Sequence, residues 1–440
     1  MVFSQYLRGV DKAVELTPPT RNRAVDAWRA IALIIVVFGH WLAASVWVTG
    51  GDVTVMNTLE WIPYSGWATW IVQVMPVFFF VGGYANARAL DAKSANRRSW
   101  ITQRFRRLYA PAVPVIVAWT ALALVLRNFI DADLVYAGVL NATLPLWFLA
   151  VYLTLVAVAP LTYAWWKRSG MVSIVVLGAA ALAVDVAYIR FDVPGIGWIN
   201  FFFVWATVHQ LGYWWSSRDR SGKMIGPGPS IAISFVALAI LIAVTWVGWY
   251  PVAMITIPGA GPNNVTPPTS AMTLLALVQI GVILATAPWM QRIMQQDRRW
   301  KPVVAISGFM MTIYVWHLTA LSLVLAVGIF SFAGAAFSFE PGTAAWWLTR
   351  PVFYVVLIAA TAALVAAFGI FEHDIDKSED HRPMPVVALG MVATIVALSA
   401  VAFVHLVNRE ADINWWIPVV AVFAAWMMSA YPASWRSRAT

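Results

Sequence analysis

Runs of about 20 consecutive apolar residues constrain the fold of this chain more than any other feature of its sequence. A helix of that length crosses the hydrocarbon core of a bilayer, and a helix satisfies its own backbone hydrogen bonds there. The runs therefore predict an all-α integral membrane protein with about twelve transmembrane helices. Their approximate bounds are 30–48, 67–87, 109–126, 147–165, 171–189, 198–215, 229–248, 270–288, 303–331, 352–371, 384–405 and 415–432.

The composition excludes several other classes of protein. Residues of the types AVILMFWYC make up 61% of the 440 residues and charged residues only 11%, whereas soluble domains carry about 25% charged residues. A soluble enzyme, a disordered chain and a fibrous chain are therefore excluded. The net charge of +9 does not indicate nucleic-acid binding, because no soluble basic domain carries it. The absence of cysteine excludes disulfides, thiolate metal sites and cysteine nucleophiles.

The distribution of basic residues predicts the orientation in the membrane. With the N-terminus in the cytoplasm, 25 of the 29 Lys and Arg residues fall in cytoplasmic segments. The other four, in outer loops, are Arg127, Arg190, Arg350 and Arg409. Cytoplasmic loops of membrane proteins carry this excess of positive charge. We therefore expect a multi-pass protein of the cell or inner membrane with both termini cytoplasmic, residues 1–29 forming a cytoplasmic tail without a cleavable signal peptide.

Three histidines lie within apolar runs, where ionisable groups are costly and mark candidate functional sites. His40, His317 and His209 lie about 15, 20 and 16 Å along their predicted helices. Three histidines at similar depth can share one polar cavity, and histidine suits proton transfer. The alternative is a structural hydrogen bond to a neighbouring helix. Tyr314 shares a helix face with His317. No metal site is expected, because no carboxylate accompanies the histidines.

A basic segment at 88–107, RALDAKSANRRSWITQRFRR, precedes the third predicted helix on the cytoplasmic side. The plainest interpretation is that these positive charges orient the protein in the membrane and bind anionic lipid. The sharper interpretation is a site for a phosphate-rich cytoplasmic ligand, because Arg forms bidentate contacts with phosphate. The residues concerned are Arg104, Arg106 and Arg107.

Ten residues separate Arg29 from His40, in a segment that begins Asp26-Ala27-Trp28-Arg29, and residues 75–84 read MPVFFFVGGY. These segments resemble the first-helix and second-helix blocks of the membrane-bound acyltransferase 3 family, which are integral membrane O-acyltransferases. Gly82 stands where that family usually has Ser, so this chain lacks the corresponding hydroxyl.

Three further blocks resemble the same family and follow in the same order. Arg104 and Arg107 match its RxxR element. Residues 146–149, LWFL, and 307–317, which end in Tyr-x-x-His, match two more. The five blocks extend over residues 21 to about 371.

The resemblance implies a ten-helix acyltransferase core over residues 30–371, with two additional helices of unknown contribution in residues 372–440. It also implies transfer of an acyl group, commonly acetyl, from cytoplasmic acyl-CoA. The acceptor would be a hydroxyl of a cell-envelope or exported carbohydrate or glycolipid. The expected partners are thus acyl-CoA, with acetyl-CoA as the family's common donor, this acceptor and the bilayer, without nucleic acid. The sequence does not indicate an oligomeric state.

The resemblance and the residue chemistry together assign expected roles. His40 is the general base for the acceptor hydroxyl, and His317 with Tyr314 supports the oxyanion or a second proton transfer. A rival hypothesis makes His40 an acyl-imidazole carrier. Acyl-CoA binding is expected from Arg29, Arg104, Arg106 and Arg107, and substrate binding from Asp26, Trp147 and His209.

A polytopic transporter or flippase is the alternative, since twelve spans are common among transporters and histidines in the membrane can relay protons. Carboxylates within the predicted spans are scarce, with Asp185 the clearest case. Proton-coupled or sodium-coupled transporters usually need such carboxylates, so the sequence favours the acyltransferase.

Overall fold

The computed structural model describes residues 2–49, 52–62, 65–92, 97–256, 262–331, 337–375 and 382–436. The basic segment 88–107 and the predicted connections 249–269 and 332–351 each include residues outside these ranges. About three quarters of the described residues are helical. Ten of the described helices are long and apolar enough to cross a membrane. The all-α membrane class is therefore confirmed.

The described elements of the N-terminal part follow one another in chain order. They are α1 (Val2–Glu15), α2 (Arg23–Ala43), β1 (Ala44–Thr49), β2 (Asp52–Asn57), α3 (Thr58–Trp61), α4 (Ser65–Val72), α5 (Met75–Ala92), α6 (Arg97–Tyr109), α7 (Val113–Leu126), α8 (Ala132–Thr143) and α9 (Leu146–Ser169).

The C-terminal part continues this order, with one turn of π-helix (Val186–Arg190) and one of 3-10 helix (Ile196–Ile199) before α11. Its α-helices are α10 (Met171–Asp185), α11 (Asn200–Arg220), α12 (Pro227–Trp246), α13 (Ser270–Ile293), α14 (Asp297–Gly308), α15 (Met310–Ser331), α16 (Ala344–Phe368), α17 (Ile370–His373), α18 (Met384–Phe403), α19 (Trp416–Met428) and α20 (Ala433–Arg436).

Each predicted span corresponds to an observed helix, although two of these helices are not among the ten that are long and apolar enough to span. The span predicted at 198–215 corresponds to α11, which ends in the charged residues Arg218, Asp219 and Arg220. The span predicted at 415–432 corresponds to α19, which has only 13 residues. The predicted outer connection 127–146 contains the helix α8.

The first span lies closer to the N-terminus than its prediction at 30–48. Helix α2 begins at Arg23 and ends at Ala43, and β1 then pairs with β2 in an antiparallel hairpin. The hydropathy of residues 44–48 does not distinguish strand from helix, but their alternation with β-branched valines favours a strand. His40 consequently lies in the last turn of its helix.

The chain divides into two compact units. The first unit contains Met1–Val36, Ile62–Ala92 and Val158–Gly308, and the second contains Val37–Trp61, Lys93–Ala157 and Phe309–Thr440. In the second unit, α15 packs against α16 and α8, and α19 packs against α18, α6 and α7. In the first unit, α11 packs against α5 and α10, and α13 packs against α12.

Glycine permits a close helix contact in the first unit, between α5 and α11. A Cβ atom on Gly83 would lie 1.8 Å from the main-chain oxygen of His209. One on Gly212 would lie 2.1 Å from the main-chain oxygen of Phe80. Small residues let helix backbones approach in membranes, so the paired-glycine block serves helix packing.

We predict that Gly83→Ala lowers the apparent melting temperature of the detergent-solubilised protein, because the added methyl group overlaps main-chain atoms of α11. Overpacking of this kind costs about 1–3 kcal/mol. Thermal unfolding followed by circular dichroism measures the change.

The matched control is Gly178→Ala on α10, whose added Cβ would meet only an ordinary contact at 3.8 Å with Thr207. Equal melting temperatures for the two variants would contradict the assigned role of Gly83.

Candidate functional site

Two histidines from different helices meet inside the second unit. Nδ1 of His40, on α2, lies 2.8 Å from Nε2 of His317, on α15. The two ring planes differ by 4° and their centroids are 5.1 Å apart. That separation equals the N···N distance plus one ring radius at each end, so the rings are coplanar and joined edge to edge. We call His40 and His317 the histidine dyad.

A main-chain carbonyl determines which ring nitrogens of the dyad carry protons. Nδ1 of His317 lies 2.7 Å from the carbonyl oxygen of Tyr314. A carbonyl oxygen only accepts, so this Nδ1 donates, and in a neutral ring Nε2 of His317 must then accept. Nδ1 of His40 is therefore the donor to His317. This arrangement leaves Nε2 of a neutral His40 with an unprotonated lone pair.

The accessible edge of the dyad belongs to His40. His317 is fully buried, with 0% exposure, whereas His40 is half-buried. Among the described residues, the side chain of His40 has one hydrogen-bond partner, which is His317. The basic Nε2 of His40 is thus the atom of the dyad that a reacting group can reach.

Aromatic residues hold the last turn of α2 against α15 and α16. The indole nitrogen of Trp41 donates to the main-chain oxygen of His317 at 3.1 Å. The ring of Tyr354, on α16, lies 5.3 Å from the ring of Phe38 and 6.4 Å from that of Trp41. These contacts immobilise the residues on either side of His40.

The structure brings two of the family-like blocks together at Tyr314. The Tyr314 hydroxyl donates to the main-chain oxygen of Pro145 at 2.9 Å, and its ring packs edge to face on Phe148. Trp147 is half-buried beside this contact, with its ring against Phe148. The contact of Tyr314 with His317 thus involves its main-chain carbonyl, and its hydroxyl binds the start of α9.

Three of the four arginines predicted for donor binding lie on α6, in different environments. Arg106 is buried and its Nε donates to the main-chain oxygen of Met428 at 2.8 Å, at the C-terminal end of α19. Cations are stabilised at helix C-termini, so Arg106 attaches the C-terminal helices to α6. Arg104 is half-buried and Arg107 is exposed.

A buried carboxylate that the sequence analysis did not identify caps the helix of His317. Glu372 is 6% exposed and accepts hydrogen bonds from the main-chain nitrogens of Met311 and Thr312, at 3.1 and 2.8 Å. The Thr312 hydroxyl donates to it at 2.8 Å. These are N–H groups that the first turn of α15 leaves without helical partners. The signal in the sequence was a glutamate just past the end of an apolar run.

The pKa of Glu372 reflects opposing influences. Burial raises its pKa above the ordinary glutamate value, while the hydrogen bonds from Thr312 and Met311 and the charge of Arg107 lower it. Burial has the largest effect, so the pKa is raised overall. The charge of Arg107 therefore acts on the carboxylate that caps the first turn of α15. Thr312, in that turn, lies five residues before His317.

The remaining predicted site residues lie in the first unit. Asp26, in the first turn of α2, forms ion pairs with Arg21, which precedes the helix, at 2.7 Å and with Arg29 at 2.9 Å. His209 is 2% exposed, and its Nε2 accepts a hydrogen bond from Nδ2 of Asn86 at 3.0 Å. His209 is thus hydrogen-bonded to a neighbouring helix, and its role in substrate binding stays a prediction.

The described part of the chain contains no cluster of three or more His, Asp or Glu side chains suited to a metal ion. The hydrogen-bond pattern of the dyad suits acid–base chemistry. A basic nitrogen, oriented by a second ring and a fixed carbonyl, can remove a proton from a hydroxyl group.

Comparison with known protein families gives one match. The model of the acyltransferase 3 family, described as an acyltransferase domain, matches residues 22–370. Helices α18, α19 and α20 lie beyond the matched range. Neither a curated protein nor a solved structure matches the chain.

We predict that Glu372→Gln changes how stability depends on pH. The folded chain binds the Glu372 proton more tightly than the unfolded chain, because its folded pKa is raised. This stabilisation is complete below the unfolded glutamate pKa of about 4.3 and is lost as the pH rises through the folded value. Gln does not titrate, so the melting temperature of the variant should fall less over this range.

The control is Glu410→Gln, which removes an exposed glutamate of the same unit and should retain the wild-type dependence on pH. A dependence of Glu372→Gln identical to that of the wild type would contradict the prediction.

Proposed function

Because the chain belongs to the acyltransferase 3 family, whose model matches residues 22–370, we propose that this membrane acyltransferase uses cytoplasmic acyl-CoA, with acetyl-CoA as the first candidate donor. Its acceptor is a hydroxyl of a cell-envelope or exported carbohydrate or glycolipid. The observation that carries the proposal is the histidine dyad, which leaves a basic nitrogen of His40 accessible in the second unit.

His40 acts as the general base in this proposal. Its Nε2 removes the proton of the acceptor hydroxyl while the acceptor oxygen attacks the thioester carbonyl carbon. The C–S bond then breaks, the ester remains on the acceptor, and the departing CoA thiolate takes the proton from His40. A positioned base of this kind contributes about 10²- to 10⁴-fold to the rate.

His317 stabilises the protonated form of His40. When Nε2 of His40 receives a proton, the ring becomes cationic and its Nδ1–H strengthens the hydrogen bond to Nε2 of His317. The Tyr314 carbonyl, 2.7 Å from Nδ1 of His317, keeps that ring in the accepting tautomer. Tyr314 therefore contributes to the mechanism through its main chain, and its hydroxyl holds the start of α9.

The arginines of α6 support an anionic donor. Arg104 and Arg107 lie one turn apart on this helix, on the predicted cytoplasmic side, and Arg107 is exposed. Phosphate and diphosphate groups of CoA suit such a pair. The pantetheine arm is long and neutral, so it can extend from this surface toward the dyad. Arg29 belongs to the proposed entrance only through the resemblance.

An aromatic surface near the dyad supports a carbohydrate acceptor. The hairpin begins four residues after His40, and the ring of Trp47 lies 6.1 Å from that of Trp61. Trp61 is 43% exposed. Indole faces present the flat apolar surface on which sugar rings stack, so this pair suits an acceptor that arrives from the predicted outer side.

The direct test is acetyl-CoA binding and turnover by the purified chain in lipid nanodiscs. The chain has no cysteine, so a thiol reagent reports released CoA without background from the protein. Absence of binding for acyl-CoA of every chain length would overturn the donor assignment. Acyl label retained on the protein after a quench without acceptor would favour the rival acyl-imidazole step.

We predict that His40→Ala lowers acyl transfer by about 10²- to 10⁴-fold while acetyl-CoA binding stays close to wild type. The reason is that the variant loses the base but keeps the arginines of α6. Product formation and donor binding are measured separately. The control is Ile34→Ala, at an exposed position of the same helix, and wild-type rates for His40→Ala would exclude the general-base role.

We predict that Arg107→Gln weakens acetyl-CoA binding about tenfold or more and flattens its dependence on salt, since one screened charge contact is lost. Titrations at low and high ionic strength measure both effects. Arg168→Gln removes an equal charge from an exposed position on α9 and should bind donor as the wild type does. A loss of affinity with unchanged salt dependence would count against a direct phosphate contact.

A further inference from the structure

Arg350 on α16 is a buried cation for which the described part of the chain provides no carboxylate. It is 6% exposed. Its Nε and one terminal nitrogen both donate to the Thr349 hydroxyl, at 3.3 and 3.1 Å. No ion pair joins Arg350 to another described residue. The other terminal nitrogen, Nη1, has no partner among the described residues. A buried charge without a partner is costly.

Aromatic rings surround this cation and leave another donor unused. The Arg350 guanidinium lies 4.3 Å from the ring centroid of Trp346 and 4.6 Å from that of Phe353. Trp346 is 1% exposed, and its indole nitrogen has no hydrogen-bond partner in the described part of the chain. Cation–π contacts offset part of the desolvation of the guanidinium, but they do not use its N–H groups. Two unused donors therefore lie one helical turn apart.

Arg350 lies on the face of α16 that points into the second unit. Trp346 and Leu357 on this face are 1% and 0% exposed, whereas Leu348 and Val352 on the other face are 79% and 68% exposed. The apolar exposed face is the one suited to lipid. A phospholipid headgroup in the surrounding bilayer is therefore a poor partner for the Arg350 guanidinium.

The inward face of α16 also carries a residue that contacts the surroundings of the histidine dyad. Tyr354 follows Arg350 by one turn of α16, and its ring packs on Phe38 and Trp41 at 5.3 and 6.4 Å. Trp41 in turn is hydrogen-bonded to the main chain of His317. A series of contacts through Tyr354 and Trp41 thus connects the helix face that carries Arg350 with the dyad.

We propose that Arg350 binds an oxyanion, phosphate or carboxylate, carried by the acceptor, which makes the acceptor an anionic hydroxyl compound. The inference rests on the proposed acyl transfer. Arg350 is one of the four basic residues predicted on the outer side, opposite to the entry of the donor. Its N–H groups form charge-assisted hydrogen bonds with the anion, and an acceptor held there presents a neighbouring hydroxyl toward His40.

Methyl phosphate is the probe for this site, and thermal stability is the measurement. The full chain is placed in nanodiscs of galactolipid, which contain no phosphate, with CoA present so that the donor arginines are occupied. Methyl phosphate should raise the melting temperature of the wild type. Arg350→Gln should require about 10- to 100-fold more methyl phosphate for the same shift, and Arg350→Lys, which keeps the charge, should lie between them.

The matched control is Arg127→Gln, which alters another predicted outer arginine of the same unit. Arg127 is already paired with Asp412 at 3.3 Å, so its variant should respond to methyl phosphate as the wild type does. A wild type that methyl phosphate does not stabilise would overturn the proposal. An equal response of Arg350→Gln and the wild type would also overturn it.

A second set of nanodiscs distinguishes the acceptor from lipid as the source of the anion. If phosphatidylglycerol nanodiscs abolish the response of the wild type, a lipid headgroup occupies the site and the acceptor assignment fails. A response that persists in these nanodiscs supports it. Release of CoA from acetyl-CoA is measured in the same preparations, so failure of the proposed acyl transfer is recognised independently of the anion response.

Discussion

The hydrogen bond between His40 and His317 is the interaction on which the candidate site depends. It joins the last turn of α2 to α15 at 2.8 Å, and the carbonyl of Tyr314 determines its polarity. The Tyr314 carbonyl determines the tautomer of His317, and His317 in turn determines the tautomer of a neutral His40. This series of hydrogen bonds leaves Nε2 of His40 as the basic nitrogen. The positions of the protons on both rings therefore follow from the hydrogen-bond geometry alone.

The surrounding structure keeps these three groups in place. Trp41 is bonded to the main chain of His317, the Tyr314 hydroxyl binds Pro145, and Glu372 caps the first turn of α15. Each contact satisfies a buried polar group that would otherwise lack a partner. The contacts that pack these helices of the second unit together are therefore the same contacts that hold the dyad in position.

The helices that lie beyond the matched family range are attached to the core through Arg106. Its guanidinium reaches the C-terminal end of α19, and the hydroxyl of Tyr109 donates to the main-chain oxygen of Ala421 at 2.9 Å. Arg106 lies between Arg104 and Arg107 on α6, so α18 and α19 support the helix that carries the proposed donor contacts. Arg106 thus has a structural contact on one face of α6, while donor binding is proposed for Arg104 and Arg107.

The sequence by itself determined the membrane class, the approximate helices and both members of the dyad, because apolar run length and the cost of a charge in lipid are local properties of the chain. Tertiary structure decided that His40 meets His317 while His209 bonds Asn86, that Tyr314 contacts His317 through its main-chain carbonyl, and that α2 ends at Ala43. It also revealed Glu372 and Arg350, a buried cation for which the described residues provide no carboxylate. These features depend on which helix faces come together, and hydrophobic periodicity does not encode the partner of a polar group.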